Sequence, residues 1–527
     1  MMNKTNYNPD ILNCLASLSN DEVFTPPKMA NEMLDLLPPQ LWTNKNAKFL
    51  DPVSKTGIFL REIATRLMVG LERQFPNRQE RVNHILTKQL YGIAITELTS
   101  LVSRRSLYCS KTADGRYSIC TEFINKDGNI KFNRIKHTWK DGRCKYCGAS
   151  RDVYERGEEL ETHAYEFIHT YKPEELFKMK FDVIIGNPPY QLNDGGGMGT
   201  SAIPIYDKFV LQAKKLNPRY LTMIIPARWY SGGRGLDEFR GNMLKDDRIR
   251  VLHDFINASD CFPGVEIKGG ICYFLWDRDN RGKCKVYTHD GDTIISESER
   301  PLLEKGANTF IRFNQAIPIL RKVQSLGENN FSTIISANDP FGFDVRVENS
   351  YKRVKPIFKL MSFTNSVLFY YNGWRKDGVG YIERSKITRN TAWIDKYKIL
   401  IPKAWGIGNI RTDWISPFII SPNSCCTETY LVIGPFSNKK IAENIISYTQ
   451  TKFFHMMVSL AKITQNTMKD AYVFVPLQDF SKPWTDKELY QKYKLTKEEI
   501  NFIESMINGS ASTETTEEKG LLNESEN

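Results

Sequence analysis

Apolar positions along this chain fall into two rhythms. Short blocks dense in apolar residues occur at Lys48–Pro52, Gln89–Ile95, Val183–Ile185, Tyr220–Pro226, Arg248–Ile256 and Gly269–Trp276. Several of these are continuous β-branched runs, the pattern of strands buried on both faces of a parallel sheet. Between them the spacing lengthens to that of helices. Met29, Met33, Leu36 and Leu37 share one face, a helix is predicted from about residue 58 to Phe75, Thr96-Glu97 opens another, and Tyr206–Leu216 forms a fourth. His163–Ile168 reads as a further strand. Strand alternating with helix predicts an α/β domain built on a mostly parallel sheet.

Residues 109–160 interrupt that alternation. Cys144-Lys145-Tyr146-Cys147-Gly148 has the two-residue spacing with which a pair of thiolates chelates zinc, in polar, strand-poor surroundings. Cys109, Cys120 and His137 lie upstream. The expected set is Cys109, His137, Cys144 and Cys147 around one structural Zn2+, with Cys120 the alternative fourth ligand. The competing reading is a pair of buried thiols.

At 527 residues the chain exceeds one core, so two or three domains are expected. No apolar run approaches the ~20 residues that span a bilayer. The N-terminus lacks an apolar signal core, so a cytoplasmic protein with no membrane partner is expected. Lys and Arg number 72 against 61 Asp and Glu, a net charge of +11 that favours a polyanionic partner. Residues 341–412 carry 14 basic against 5 acidic side chains, interleaved with thirteen aromatics including Trp374, Trp393 and Trp405. That concentration fits binding to phosphates. Capping boxes at Thr485–Glu488 and Thr496–Glu499 start two helices, and from Asn508 a polar, acidic tail is expected to be disordered. The expected boundaries are 1–290, 291–508 and 509–527.

The sharpest signal follows Val183–Ile185. Gly186 and two prolines stop that strand, because proline has no N–H to continue a ladder. Asn187, Pro188, Pro189 and Tyr190 are thereby set on a stiff loop at the strand's carboxyl end, where open α/β sheets place their chemistry. Asn-Pro-Pro-Tyr after Asp182-Val-Ile-Ile-Gly resembles the signature loop of amino-methylating, S-adenosyl-L-methionine-dependent methyltransferases. The chain is most similar to the Eco57I-type adenine-N6 methylases of restriction-modification systems, over about residues 20 to 280. The resemblance implies a Rossmann-like seven-stranded sheet, with Gly269–Trp276 at its antiparallel edge, and a C-terminal mixed α+β target-recognition domain.

It also implies roles. Phe24, Thr25 and Pro26 resemble the segment that closes over the cofactor's methionine end, and Asp51, Gly57 and Asn187 would face the cofactor. Lys55 stands where the family has a glycine. The usual ribose-binding acid is Ala94 here, leaving Glu97 as the substitute, and Glu166 resembles the acid that meets the adenine ring of the cofactor. Phe262 resembles the aromatic that packs a flipped base against Tyr190.

The chemistry is consistent with those residue types. An adenine amine is a weak nucleophile, and the Asn187 side-chain oxygen with the Pro188 carbonyl would accept its two N–H groups as positive charge develops. A base inside a duplex cannot reach such a loop, so it must flip out. The expected partners are double-stranded DNA and a separate restriction endonuclease, since no nuclease constellation is visible and few residues precede Phe24. The loop also serves enzymes that methylate guanine in RNA or glutamine in proteins, so alone it leaves the substrate open. A DNA-recognition subunit with a decayed active site is the second alternative, resting on Lys55 and Ala94.

Overall fold

The computed structural model describes residues 23–155, 157, 162–192, 202–230, 235–267, 269–305, 307, 309–343, 357–403, 414–461 and 467–507. The acidic tail lies outside these residues, as do Trp405 and Arg346, Lys352, Arg353 and Lys355 of the basic segment. The chain divides into two units, at Phe310/Ile311.

The first unit is organised on a nine-stranded sheet. Its left half is β1 (Phe49–Ser54), β2 (Leu90–Ala94) and β3 (Ile130–Lys131). A small hairpin, β4 (Trp139–Lys140) with β5 (Arg143–Cys144), stands apart, and the sheet resumes with β6 (Val183–Gly186). A second hairpin, β7 (Gln191–Leu192) with β8 (Ile203–Pro204), follows that strand. The right half is β9 (Tyr220–Pro226), β10 (Ile249–Phe255), β11 (Ile271–Asp277), β12 (Cys284–Asp290) and β13 (Thr293–Arg300). The order across the sheet is β13-β12-β10-β11-β9-β6-β1-β2-β3.

Every residue of β1, β2, β6 and β9 is buried, as expected of strands covered on both faces. β1 pairs in parallel with β2 on one side and β6 on the other, Leu50 facing Tyr91 and Ile184. The chain therefore winds outward from β1 to β3, then crosses back to β6. A crevice opens where winding reverses, at the carboxyl ends of β1 and β6. The helix Ile58–Gly70 leaves β1 and buries Phe59, Leu60, Ile63 and Leu67. Helix Pro27–Asp35 buries Met29 and Met33 in the same apolar cluster.

Four expectations change. The sheet has nine strands rather than seven, because the antiparallel pair β12–β13 extends it. That extension carries the first unit to Phe310 instead of residue 290. β11 is antiparallel but internal, hydrogen-bonded to both β9 and β10. His163–Ile168 is not a strand: His163 has φ +52°, and Glu166–Ile168 is a 3-10 turn. The Ile168 and His169 N–H groups both donate to the Tyr165 carbonyl at 3.1 Å, so the main chain closes on itself instead of joining a ladder. The place beside β2 is taken by β3, from within the stretch read as an insertion.

The second unit is mixed α+β. One three-stranded sheet joins β14 (Ser366–Tyr370), β15 (Gly380–Glu383) and β18 (Ser424–Cys426); another joins β16 (Tyr397–Pro402), β17 (Phe418–Ile420) and β19 (Tyr430–Phe436). Both predicted capping boxes form, at Thr485 with Glu488 and at Thr496 with Glu499. Part of the basic surplus is used internally. Lys398 is buried and donates to the carbonyls of Trp393, Ile394 and Lys396, while Arg375 and Lys376 are exposed. Among the described residues no helix is long and apolar enough to cross a membrane.

Candidate active site

The crevice is built from the carboxyl ends of β1 and β6 and from the segment entering helix Pro27–Asp35. β6 can close on β1 because it ends in glycine: a Cβ on Gly186 would come within 2.8 Å of the Val53 Cγ2. The next residue, Asn187, is only 3% exposed. Its Nδ2 donates to the Val23 carbonyl at 3.0 Å and to the Thr25 hydroxyl at 3.1 Å. A carbonyl accepts and never donates, so this hydrogen bond sets which end of the amide is nitrogen. Oδ1 is then turned away from the segment, buried, and without a hydrogen-bond partner among the described residues. An unsatisfied buried acceptor costs about 1–3 kcal/mol unless something donates to it.

Pro188 and Pro189 are buried, and the loop's far end is tied down through Ile205, whose N–H donates to the Tyr190 carbonyl at 3.2 Å. The Tyr190 hydroxyl is also buried, and burial pushes its pKa well above the ordinary phenol value, against a smaller opposing pull from the Asn187 side chain. Tyr190 therefore stays a neutral ring.

β1 delivers Asp51, 2% exposed, whose Oδ1 accepts from the Val53 N–H at 3.1 Å. Burial pushes its carboxyl up to about 7, against the opposing pull of that N–H, the Ser54 side chain and the Lys55 charge. Gly57 starts the following helix at φ +73°, and a Cβ there would lie 2.8 Å from the Ser103 Oγ. Ser103 in turn is 2.6 Å from the Ser54 Oγ, so only glycine lets the helix start this close to β1. Lys55 has no such demand on its backbone. Its Nζ donates to the Val23 carbonyl at 2.9 Å, the same oxygen that receives Asn187. Thr25, Asp51, Val53, Lys55, Gly57 and Asn187 line what remains, a cleft of about 10 Å3.

The structure thus brings together Thr25, Asp51, Gly57 and Asn187 from distant parts of the sequence. Phe24 and Pro26 flank Thr25 in the same segment, Pro26 preceding the first helix. Other expected residues lie elsewhere. Glu97 is exposed in the first turn of helix Glu97–Tyr108, which is capped by Thr96 and Thr99. Glu166 is half-buried and accepts from the Asn133 Nδ2 at 2.8 Å. Phe262, 2% exposed, shares the apolar cluster of Tyr190, Cys261 and Tyr273. Sequence reasoning missed Lys55 as a tie to the entering segment and the Val23 carbonyl as its acceptor. Main-chain acceptors leave no mark in a sequence.

The expected zinc set is corrected. Cys109 is exposed at the left-handed C-cap of helix Glu97–Tyr108, and Cys120 is buried in the main apolar cluster. His137, Cys144 and Cys147 do come together, and their companion is His169. The knuckle signalled the two cysteines, but His169 follows a segment misread as strand.

A family model, the Eco57I restriction-modification methylase, matches residues 88–262, which contain the Asn187 loop. That match makes the chain a methyltransferase of the restriction-modification type. An uncharacterized adenine-specific methylase of Mycoplasma pneumoniae is 40% identical over 366 residues, 63% of this chain and 87% of that protein. The chain belongs to this family of adenine-specific methylases. Among solved structures, a nuclease-deletion mutant of the Type ISP restriction-modification enzyme LlaGI with a DNA substrate mimic matches at TM-score 0.47 and 11% identity, covering 90% of this chain and 54% of that one. The DrdV–DNA complex matches at TM-score 0.44 and 11% identity, covering 87% and 56%. This chain spans little more than half the length of those two.

Proposed function

We propose that this methylase transfers a methyl group from S-adenosyl-L-methionine to N6 of an adenine flipped out of duplex DNA, as the modification component of a restriction-modification system. The observation that carries the reading is the Asn187 amide: pinned through its nitrogen, with its oxygen buried and unclaimed. That oxygen is an acceptor waiting for an N–H donor, and an exocyclic amine is such a donor.

The residues present fit the methyl donor. When bound it supplies an electrophilic methyl on a sulfonium. Asp51 offers a carboxyl group from within β1, and Gly57 permits close backbone approach at a helix start. A nucleoside cofactor needs several hundred Å3, so it would extend well beyond the 10 Å3 cleft these residues enclose. Asn187 Oδ1 and the Pro188 carbonyl then accept from the amine, favour a pyramidal nitrogen and stabilise its growing positive charge. An amide cannot take the proton at neutral pH; solvent removes it after transfer. Tyr190, neutral at any physiological pH, supplies a face for the base. The exposed Arg375 and Lys376 of the second unit are suited to phosphate.

Incubating the protein with labelled S-adenosyl-L-methionine and duplex DNA, RNA or protein substrates tests this directly. Label in DNA, mapped to N6 of adenine by modification-sensitive sequencing, is expected. Label in RNA guanine or protein glutamine, with none in DNA, would overturn the reading.

A further inference from the structure

A second constructed site lies in the first unit, away from the Asn187 loop. The hairpin β4–β5 turns through Asp141 and Gly142, both at positive φ, and delivers Cys144. The chain then doubles back at once. The Gly148 N–H donates to the Cys144 carbonyl at 2.9 Å, and the Cys144 N–H to the Ala149 carbonyl at 2.8 Å. That tight knuckle turns the thiols of Cys144 and Cys147 toward His137 and His169, and the potential ligand atoms of all four lie within 4.8 Å of one another.

The two rings are oriented from behind. His137 Nε2 lies 2.8 Å from the Thr162 carbonyl, and His169 Nδ1 lies 2.7 Å from the Tyr165 carbonyl. A carbonyl only accepts, so each of these nitrogens carries its ring's proton. In neutral rings, His137 Nδ1 and His169 Nε2 are left with bare lone pairs. They face each other at 3.3 Å, with Cys147 Sγ 3.4 Å from His137 Nδ1. Lone pairs converging this closely are relieved by a cation placed among them. Carbonyl-oriented imidazoles are also how proteins fix histidine ligands on a metal.

We propose that His137, Cys144, Cys147 and His169 bind one structural Zn2+. Two thiolates and two imidazoles are a donor set zinc favours, and four protein ligands leave no open position for substrate. Binding converts both thiols to thiolates, releasing two protons to solvent while the two imidazoles remain neutral. The ion would cross-link the β4–β5 hairpin to the turn Glu166–Ile168, immediately before His169. The site therefore serves the fold of that wall rather than methyl transfer.

Metal analysis of full-length protein, purified without chelator, should give one zinc per chain. Exchange into Co2+ should give the visible absorption of a tetrahedral site with thiolate charge-transfer bands, a readout independent of activity. His169→Ala and Cys147→Ser should each lose most of the zinc, whereas Cys109→Ser should keep it. If a ligand variant does not fold, the cobalt spectrum of the unaltered chain still decides. Absence of both zinc and a thiolate–cobalt spectrum would overturn the proposal, since a proton shared between the rings would then account for their approach. Loss of metal in Cys109→Ser with full retention in His169→Ala would equally overturn it.

Discussion

The side chain of Asn187 donates to the hydroxyl of Thr25 across 3.1 Å, though the two residues stand 162 positions apart in the sequence. Together with the Val23 carbonyl, that hydroxyl consumes both amide hydrogens and leaves the oxygen as the only unused end. A residue ahead of the first helix thus determines how the loop after β6 meets its substrate.

Thr25→Val keeps the shape of the side chain and removes one of the two acceptors. Asn187 then loses part of its orientation, so turnover should fall about 5-fold, as for removal of a single neutral hydrogen bond of about 1 kcal/mol. DNA affinity should remain unchanged, because Thr25 is buried. Single-turnover methylation compared with equilibrium DNA binding separates these outcomes.

Asn187→Ala deletes the acceptor itself. By analogy with removal of one oriented oxyanion donor, the rate should drop roughly 10²–10³-fold while cofactor and DNA binding persist. Tyr190→Phe removes only a buried hydroxyl and should be close to unaltered. Tyr190→Ala removes the ring and should weaken target-base binding by about 1–3 kcal/mol. Near-normal turnover by Asn187→Ala would remove the chemistry from this loop.

Asp51 makes stability depend on pH. Burial lifts its carboxyl from the ordinary 3.8 to about 7. Between those values the folded chain holds a proton that the unfolded chain has released, so its contribution is full below about pH 4 and is lost as pH rises through about 7. Asp51→Asn retains the shape without the ionisation. Its Tm advantage over the unaltered protein, measured without cofactor, should therefore grow from about pH 5 to about pH 8. A constant difference across that range would refute the buried, raised carboxyl.

In the second unit, Arg375→Ala combined with Lys376→Ala should weaken DNA binding and lower the slope of log affinity against log salt by about 2, one for each phosphate no longer neutralised. Cofactor affinity should not change. Titration at several ionic strengths checks both. The corresponding change at Lys398 should instead cost stability, because its buried charge is spent on three main-chain carbonyls.

Much of this architecture was legible in the residues. Val183–Ile185, Tyr220–Pro226 and the two Thr-x-x-Glu boxes carry local signals strong enough to place strands and caps, and the structure follows them. The loop at Asn187 was legible because proline and glycine act locally. His163–Ile168 was misread because Tyr165 and Phe167 face one neighbour, Phe209, as they would on a strand, while the backbone turns. His169 escaped for the related reason that ligands from outside a knuckle are joined only by folding. Lys55 in place of a glycine looked like damage to the site. The structure distinguishes the two positions: Gly57 needs φ +73° and lies against Ser103, whereas Lys55 has no positive φ and its side chain reaches the Val23 carbonyl.

The Val23 carbonyl receives both Lys55 and Asn187. Because this junction is main chain, exchanging Val23 for another apolar residue that packs on the same cluster leaves it in place. Adding or removing one residue between Val23 and the start of the helix at Pro27 is a different event. It would slide the oxygen away from both donors at once, take one acceptor from the Lys55 ammonium, and loosen the amide that faces the substrate. The segment is therefore held by its length as much as by the hydroxyl of Thr25.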